Sequence, residues 1–419
     1  MLNVPVTRRS LLQSGLLGSG GALAGLALSL DQSQALAQPP GKPSTLTITK
    51  VETFPLSHKL PKAVGPSVAL SNVRETLLVK ISTDSGLVGW GETADVGGTR
   101  GIIEEHLKTV LLGKNPLSHR KLWQAMWGAN FGDGRAVAGC DLALHDLRGK
   151  ALGQSIAEMY GGRQRDRVMA YAAAMNYTEG VRPEDQHPAE ASVLAKRGFL
   201  AMKIRTGRFG FKRDLDVMQK IRQAVGPDVR LLTDGNGAFT LPQAVKFGKE
   251  LEKLDFYCFE EPLPQAPNYA GYDVLTQSLD IGVSGGEVLD SRATAREHII
   301  KRSFDIIQPD VSLCGGIAEV LFICEMARLF GIQAMPHCYA GAIVIAATLH
   351  VNALLPPHYQ GFTGGDEPML ELDTYENPFR DVIVAKPFEI KQGYVDVPTG
   401  PGLGIEIDED VVKKYLVKY

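Results

Sequence analysis

The chain has 419 residues, 44% hydrophobic and 22% charged, with 44 basic against 47 acidic side chains and a net charge of -3. This composition excludes a disordered chain and allows a large core, and the charge balance argues against a protein that grips nucleic acid through a basic surface. The length suits two or three ordinary units, or one α/β barrel of ~250 residues with a further domain attached.

In chain order, the first feature is the pair Arg8-Arg9, followed by a Gly-rich apolar run over 11–30 that ends at Asp31. Ala35-Leu36-Ala37 then supplies small residues at the two positions a signal peptidase reads. The pattern predicts a cleaved twin-arginine signal over 1–37 and a periplasmic destination. Gly and Ser interrupt the run, so no stable membrane anchor is expected. The cysteines are Cys140, Cys258, Cys314, Cys324 and Cys338. Their number is odd and none has C-x-x-C spacing, so all are expected to stay reduced, as in a protein folded before export.

Residues 45–57 and 73–93 carry strand patterns, with a turn at Ser82–Gly86, and 99–113, 118–129 and 134–152 carry helical ones. Together they predict an α+β unit over 45–165. From Val168 the rhythm changes to short apolar runs alternating with amphipathic segments. The runs are 168–172, 201–204, 229–233, 256–259, 281–284, 306–307, 333–335 and 369–372. Such alternation predicts a parallel (β/α) barrel over 166–384, with 385–419 folding back on the first unit. A doubly wound open sheet is the alternative. It would want a Gly-rich phosphate loop after its first strand, and none is present.

A polar residue closes each of the second to seventh runs. Lys203 and Arg205 close the second, Asp234 the third, Glu260 the fourth, Glu287 the fifth, Asp310 the sixth and His337 the seventh. The steps through 203, 234, 260, 287, 310 and 337 are 31, 26, 27, 23 and 27 residues, each about one strand–helix unit. These side chains should therefore meet at one mouth of the barrel. Asp234, Glu260 and Glu287 would repel one another if left bare. As an all-oxygen anionic set they suit a hard divalent cation, most simply Mg2+. Acidic residues at strand ends also cap following helices, which accounts for one such residue better than for three in consecutive units. Asp310 beside His337 would fix the imidazole tautomer and raise its basicity. Lys203 and Arg205, two apart, share one face of their strand.

With these motifs in place — Lys203-Ile204-Arg205, Asp234-Gly235-Asn236, Glu260-Glu261-Pro262, Gly286-Glu287, Gln308-Pro309-Asp310 and Pro336-His337 — the chain resembles the enolase superfamily in its mandelate racemase-like branch. The stretch from Glu367 to Asp373, with Asn377-Pro378-Phe379-Arg380, is similar to the acid-sugar enzymes of that branch. The resemblance covers about 45–415. It implies a modified (β/α) TIM-type barrel under an N-terminal α+β capping domain, metal ligands Asp234, Glu260 and Glu287, a His337–Asp310 base dyad, a small carboxylate substrate and a homo-oligomer. It also implies an acid on the eighth strand, for which Glu371 and Glu367 are the candidates. Specificity would lie in capping-domain loops, here His58–Leu70 and Thr93–Thr99. One departure is Arg205, which stands where many relatives carry a basic Lys. A guanidinium does not accept a proton at relevant pH. The expected chemistry is therefore α-proton abstraction followed by loss of a β-group, as a dehydratase or lactone cycloisomerase. A racemase or epimerase, or a non-catalytic exported binding protein, are the alternatives.

Overall fold

The computed structural model describes residues 46–128, 132–266, 268–358 and 365–417. The expected signal over 1–37 lies outside them. The described chain opens with an antiparallel meander, β1 (Ile48–Gly65), β2 (Ser71–Thr83) and β3 (Val88–Thr93). Alternation along β2 sets its two faces. Leu77, Val79 and Ile81 pack with Val137, Ala143 and Leu147 of the long helix Gly134–Leu152, while Leu78 turns to the barrel-side core with Trp90. Gly91 of β3 is pressed so close to this helix that a Cβ there would lie 1.9 Å from the carbonyl oxygen of Gly139. Only glycine permits that approach.

The later strands are β4 (Arg167–Ala173), the short β5 (Tyr177–Thr178, which joins the cap sheet beside β1), β6 (Ala201–Arg205), β7 (Arg230–Asp234), β8 (Phe256–Glu260), β9 (Gly282–Gly285), β10 (Ile306–Ile307), β11 (Gln333–Ala334) and β12 (Leu370–Asp373). Eight of them form a parallel run in the order β11-β10-β9-β8-β7-β6-β4-β12, each within a residue or two of its expected apolar run. Helices such as Phe211–Val225, Leu241–Lys253 and Ile317–Leu329 connect them. The fold is an α/β barrel of the TIM type beneath an α+β cap, as expected. β13 (Tyr394–Asp396) pairs antiparallel with the start of β4, and the tail returns to β1, where the Val417 amide donates to the Pro55 carbonyl at 2.9 Å.

Two expectations need correcting. The segment His58–Gly65 is not a loop but the outer half of β1, paired to β2 up to Lys59 and again at Val64, and to β5 at Val64 and Gly65. The helix Pro183–Lys196 was not foreseen, because its Glu, Asp, Gln and His content hides the apolar period. Cap and barrel are also joined by Glu92 of β3. Its buried carboxylate accepts the Gly341 amide at 2.7 Å and the Val344 amide at 3.3 Å, at the start of the helix Ala342–Leu354 that follows His337. Burial pushes the Glu92 carboxyl up to about 7. All five cysteines are free and buried. Among the described residues no helix is long and apolar enough to cross a membrane.

Candidate active site

Register places the site. Arg205 of β6, Asp234 of β7 and Glu260 of β8 are lateral neighbours across three adjacent strands, so their side chains form one row at the carboxyl end of the sheet. Asn236 and Glu261, just beyond two of these strand ends, have φ of 45° and 37°. That left-handed backbone is uncommon outside glycine and gathers at functional sites. At Glu261 it tucks the second carboxylate of the pair away from the mouth, against the Gly286 amide at 3.2 Å and the Tyr269 hydroxyl at 3.3 Å.

Lys203 lies at the centre, fully buried. Its Nζ is 2.6 Å from Glu260, 2.7 Å from Glu371 and 3.7 Å from Asp234. Burial alone would push its ammonium down, but the three carboxylates outweigh it and hold the proton on. Arg205 is ion-paired to Asp234, and its Nε donates to Asn176 Oδ1 at 3.2 Å. Glu260 also accepts Gln308 Nε2 at 2.9 Å. Its carboxyl is nevertheless pushed up to about 7, by burial and by Asp234, Glu371 and Glu287 against the pull of Lys203. Burial pushes Glu371 the same way, yet Lys203, His337 and Arg205 prevail and keep it ionised.

On the other flank His337 Nδ1 is 2.6 Å from Asp310 Oδ2. The second oxygen of Asp310 is fixed by the Ser312 amide and hydroxyl, each at 2.6 Å. A carboxylate held this firmly fixes the ring, so Nε2 faces the cavity, 3.3 Å from Glu287 and 3.6 Å from Glu371. Burial opposes protonation of His337, but Glu287, Glu371 and Asp310 together lift it to about 10.

The structure thus brings together Lys203, Arg205, Asp234, Glu260, Glu287, Asp310, His337 and Glu371. Glu367 does not join them. Its side chain is 44% exposed and pairs at 3.5 Å with Arg165, ahead of β4 at the opposite end of the strands. The choice between the two acids falls to Glu371, because β12 begins only at Leu370 and the next residue points inward. Sequence reasoning missed Gln308, Tyr171, which donates to Glu371 at 3.0 Å, and Tyr339. Gln308 carried a readable signal, lying two residues before Asp310 and so on the same face. A tyrosine in an apolar strand carries none.

The donor set fits a divalent cation. Asp234, Glu260, Glu287, Asp310 and Glu371 outnumber Lys203, Arg205 and His337, and the raised Glu260 carboxyl marks the uncompensated negative potential. A separate buried group, His119, Asp141 and His145, also brings ligand-type atoms within 4.8 Å of one another. Its atoms are already bonded: Asp141 accepts from His119 at 2.7 Å and from the Ile317 amide at 2.9 Å, and His145 Nε2 meets the Tyr160 hydroxyl at 2.7 Å.

Residues 50–161 match the mandelate racemase/muconate lactonizing enzyme N-terminal domain, and residues 187–411 match the enolase C-terminal domain-like family. The chain belongs to the enolase superfamily. It is an enzyme of the mandelate racemase/muconate lactonizing enzyme group, as the motifs implied. It is 33% identical to D-galactarolactone cycloisomerase of Agrobacterium fabrum over 88% of this chain and 99% of that protein. It is 33% identical to arabinonate dehydratase of Saccharolobus solfataricus, over 82% and 91%. Among solved structures, the 3,6-anhydro-D-galactonate cycloisomerase of Zobellia galactanivorans superposes with a TM-score of 0.78 at 31% identity, covering 89% of this chain and all of that one. These relatives are acid-sugar dehydratases and cycloisomerases, and members of the superfamily generally bind Mg2+.

Proposed function

We propose that this enzyme is a Mg2+-dependent lyase or isomerase that removes the proton α to the carboxylate of an acid sugar or its lactone, passes through an enediolate and expels a β-oxygen. The observation that carries the reading is the His337–Asp310 pair facing, with Lys203, a single buried carboxylate cluster. The named activities of the relatives support it. Asp234, Glu260 and Glu287 would hold the ion, which when bound supplies Lewis-acid stabilisation of negative charge on the substrate carboxylate. Lys203 and Arg205 add fixed positive charge beside the developing enediolate, where a dry, preorganised site makes such charge most effective. Asp310 accepts from Nδ1, and a cation held by Glu287 would ease the carboxylate pull that otherwise keeps His337 protonated, freeing the Nε2 lone pair to take the α-proton.

Direction of proton transfer separates this reading from racemisation. A racemase needs a second base on the opposite face. Lys203 is held protonated by three carboxylates, and a guanidinium does not deprotonate, so His337 works from one face. The purified protein, given Mg2+ and a panel of acid sugars and lactones, should form an α-keto acid. EDTA should abolish the activity and Mg2+ restore it. Full turnover in chelator would remove the metal from the proposal.

We also propose that 1–37 is an export signal and that the mature enzyme is periplasmic, on the strength of Arg8-Arg9 and Ala35-Leu36-Ala37. Changing both arginines to Lys should strand the precursor in the cytoplasm. Unchanged export, with a mature protein starting far from Gln38, would refute this.

A further inference from the structure

The cavity above His337, of about 360 Å³, is walled by Arg74 from the cap and by Asn176, Arg205, Asn236, Glu287 and Tyr339 from the barrel. If the reaction expels a β-hydroxyl, a proton must reach the departing oxygen, because hydroxide is a poor leaving group. His337 could return the α-proton only to an oxygen leaving from its own face, so a β-oxygen that leaves from the other face needs a second acid. Arg74 and Arg205 do not release protons, and neither do the two asparagine amides. Ser71, at the rim, is far too weak an acid. Glu287 is assigned to the ion as a ligand, which leaves Tyr339, a phenol that burial keeps protonated at neutral pH.

The hydrogen bonds around it fix where its proton points. Arg205 Nε can only donate, so the Asn176 atom that it meets at 3.2 Å must be the amide oxygen. That orientation turns Asn176 Nδ2 toward the Tyr339 oxygen at 3.3 Å. The phenol oxygen therefore accepts from Asn176, so its own O–H is free to donate to another group, and the residue lines the cavity. The guanidinium groups of Arg74 and Arg205 lie 5.1 and 5.7 Å from the ring centre, close enough to favour the phenolate that donation would leave.

We propose that Tyr339 is the acid of the reaction, passing its phenolic proton to the departing β-oxygen. The assignment rests on the lyase reading above. The C–H electron pair enters the enediolate as His337 takes the α-proton. Collapse forms the Cα=Cβ double bond and breaks the Cβ–O bond. The pair from that bond takes the Tyr339 proton and leaves as water. Solvent reprotonates the phenolate, His337 returns its proton to solvent, and the enol becomes the α-keto acid with no net change at the enzyme.

The test uses Tyr339→Phe, which removes one oxygen and keeps the ring, with Mg2+ and two probes in D2O, arabinonate and D-galactarolactone. Keto-acid formation and deuterium incorporation into recovered substrate are read together. On arabinonate the variant should keep α-proton exchange while keto-acid formation falls on the order of 10²-fold or more. On the lactone, whose leaving group is a carboxylate needing no proton, the deficit should be at least about tenfold smaller. Parallel loss of exchange and turnover would indicate a structural role, and a deficit below about threefold on arabinonate would indicate none; either overturns the assignment. An unmodified enzyme that opens only the lactone also overturns it. Neither turnover nor exchange by the unmodified enzyme on any member of the panel of acid sugars and lactones would overturn the parent reading, and the role of Tyr339 with it.

Discussion

His337 can act as a base only if its ring is held, and Asp310, itself gripped by Ser312, holds it. We predict that His337→Asn abolishes both turnover and α-proton exchange, by on the order of 10²–10⁴-fold for loss of the base alone. Asp310→Asn should cost less, since the base survives with its tautomer disturbed. Exchange by His337→Asn at the unmodified rate would mean that another group removes the proton. The residues that carry this argument were legible because each ends a short apolar run, and the recurrence of that event once per strand–helix unit is hard to produce by chance. Glu371 was only half legible. Two acids flank the eighth run, and which one faces inward depends on where β12 begins. Tyr171 was illegible, since an aromatic beside apolar neighbours has the same appearance in a core as in a site, whereas Tyr339, two residues after His337, carried the same signal as Gln308.

The loop between Asp310 and the helix Ile317–Leu329 shows how an element positions the proposed His337–Asp310 dyad. Gly316 has φ 98°, and a Cβ there would sit 2.0 Å from Asp141 Oδ2, the oxygen that accepts the Ile317 amide. Gly316→Ala should therefore strain the backbone and displace the cap's carboxylate together, destabilising by about 2–3 kcal/mol. Because the Cys314 amide donates to the Asp310 carbonyl at 2.9 Å, the same variant should lower kcat. A thermal midpoint and rate both unchanged would show that the loop tolerates a side chain. At this scale the strands were easier to foresee than their surroundings. Short buried runs bounded by polar residues announce themselves, whereas β5 is two residues long and exists only because Val64 and Gly65 reach it from the cap.

Stability of the whole molecule should depend on pH through histidines far from the reaction. His187 and His350 are fully buried, and burial pushes each down to about 4 from an ordinary 6.5. Between these values the unfolded chain binds protons that the native one refuses. Stability is then complete above about pH 6.5 and falls as pH drops toward 4, by on the order of 3 kcal/mol for each residue. Urea midpoints at pH 7.5 and 5 measure this, and equal midpoints would mean that the rings are not buried neutral. The fold class was legible at this scale because α/β alternation persists through the barrel. The seams between cap and barrel were not, because each is a contact between residues distant in the chain. One of them has a consequence for traffic through the enzyme. The cap is stitched to the barrel at Val64 with Thr178, at Ser67 with the Gly235 carbonyl at 2.7 Å, and at Glu92 with Gly341. A cover fastened at several points does not swing open as a plate. If substrate enters past residues 64–67, the Val64–Thr178 and Gly65–Tyr177 pairing and the Ser67 hydroxyl bond are what must open, so loosening this strand edge should change the turnover rate.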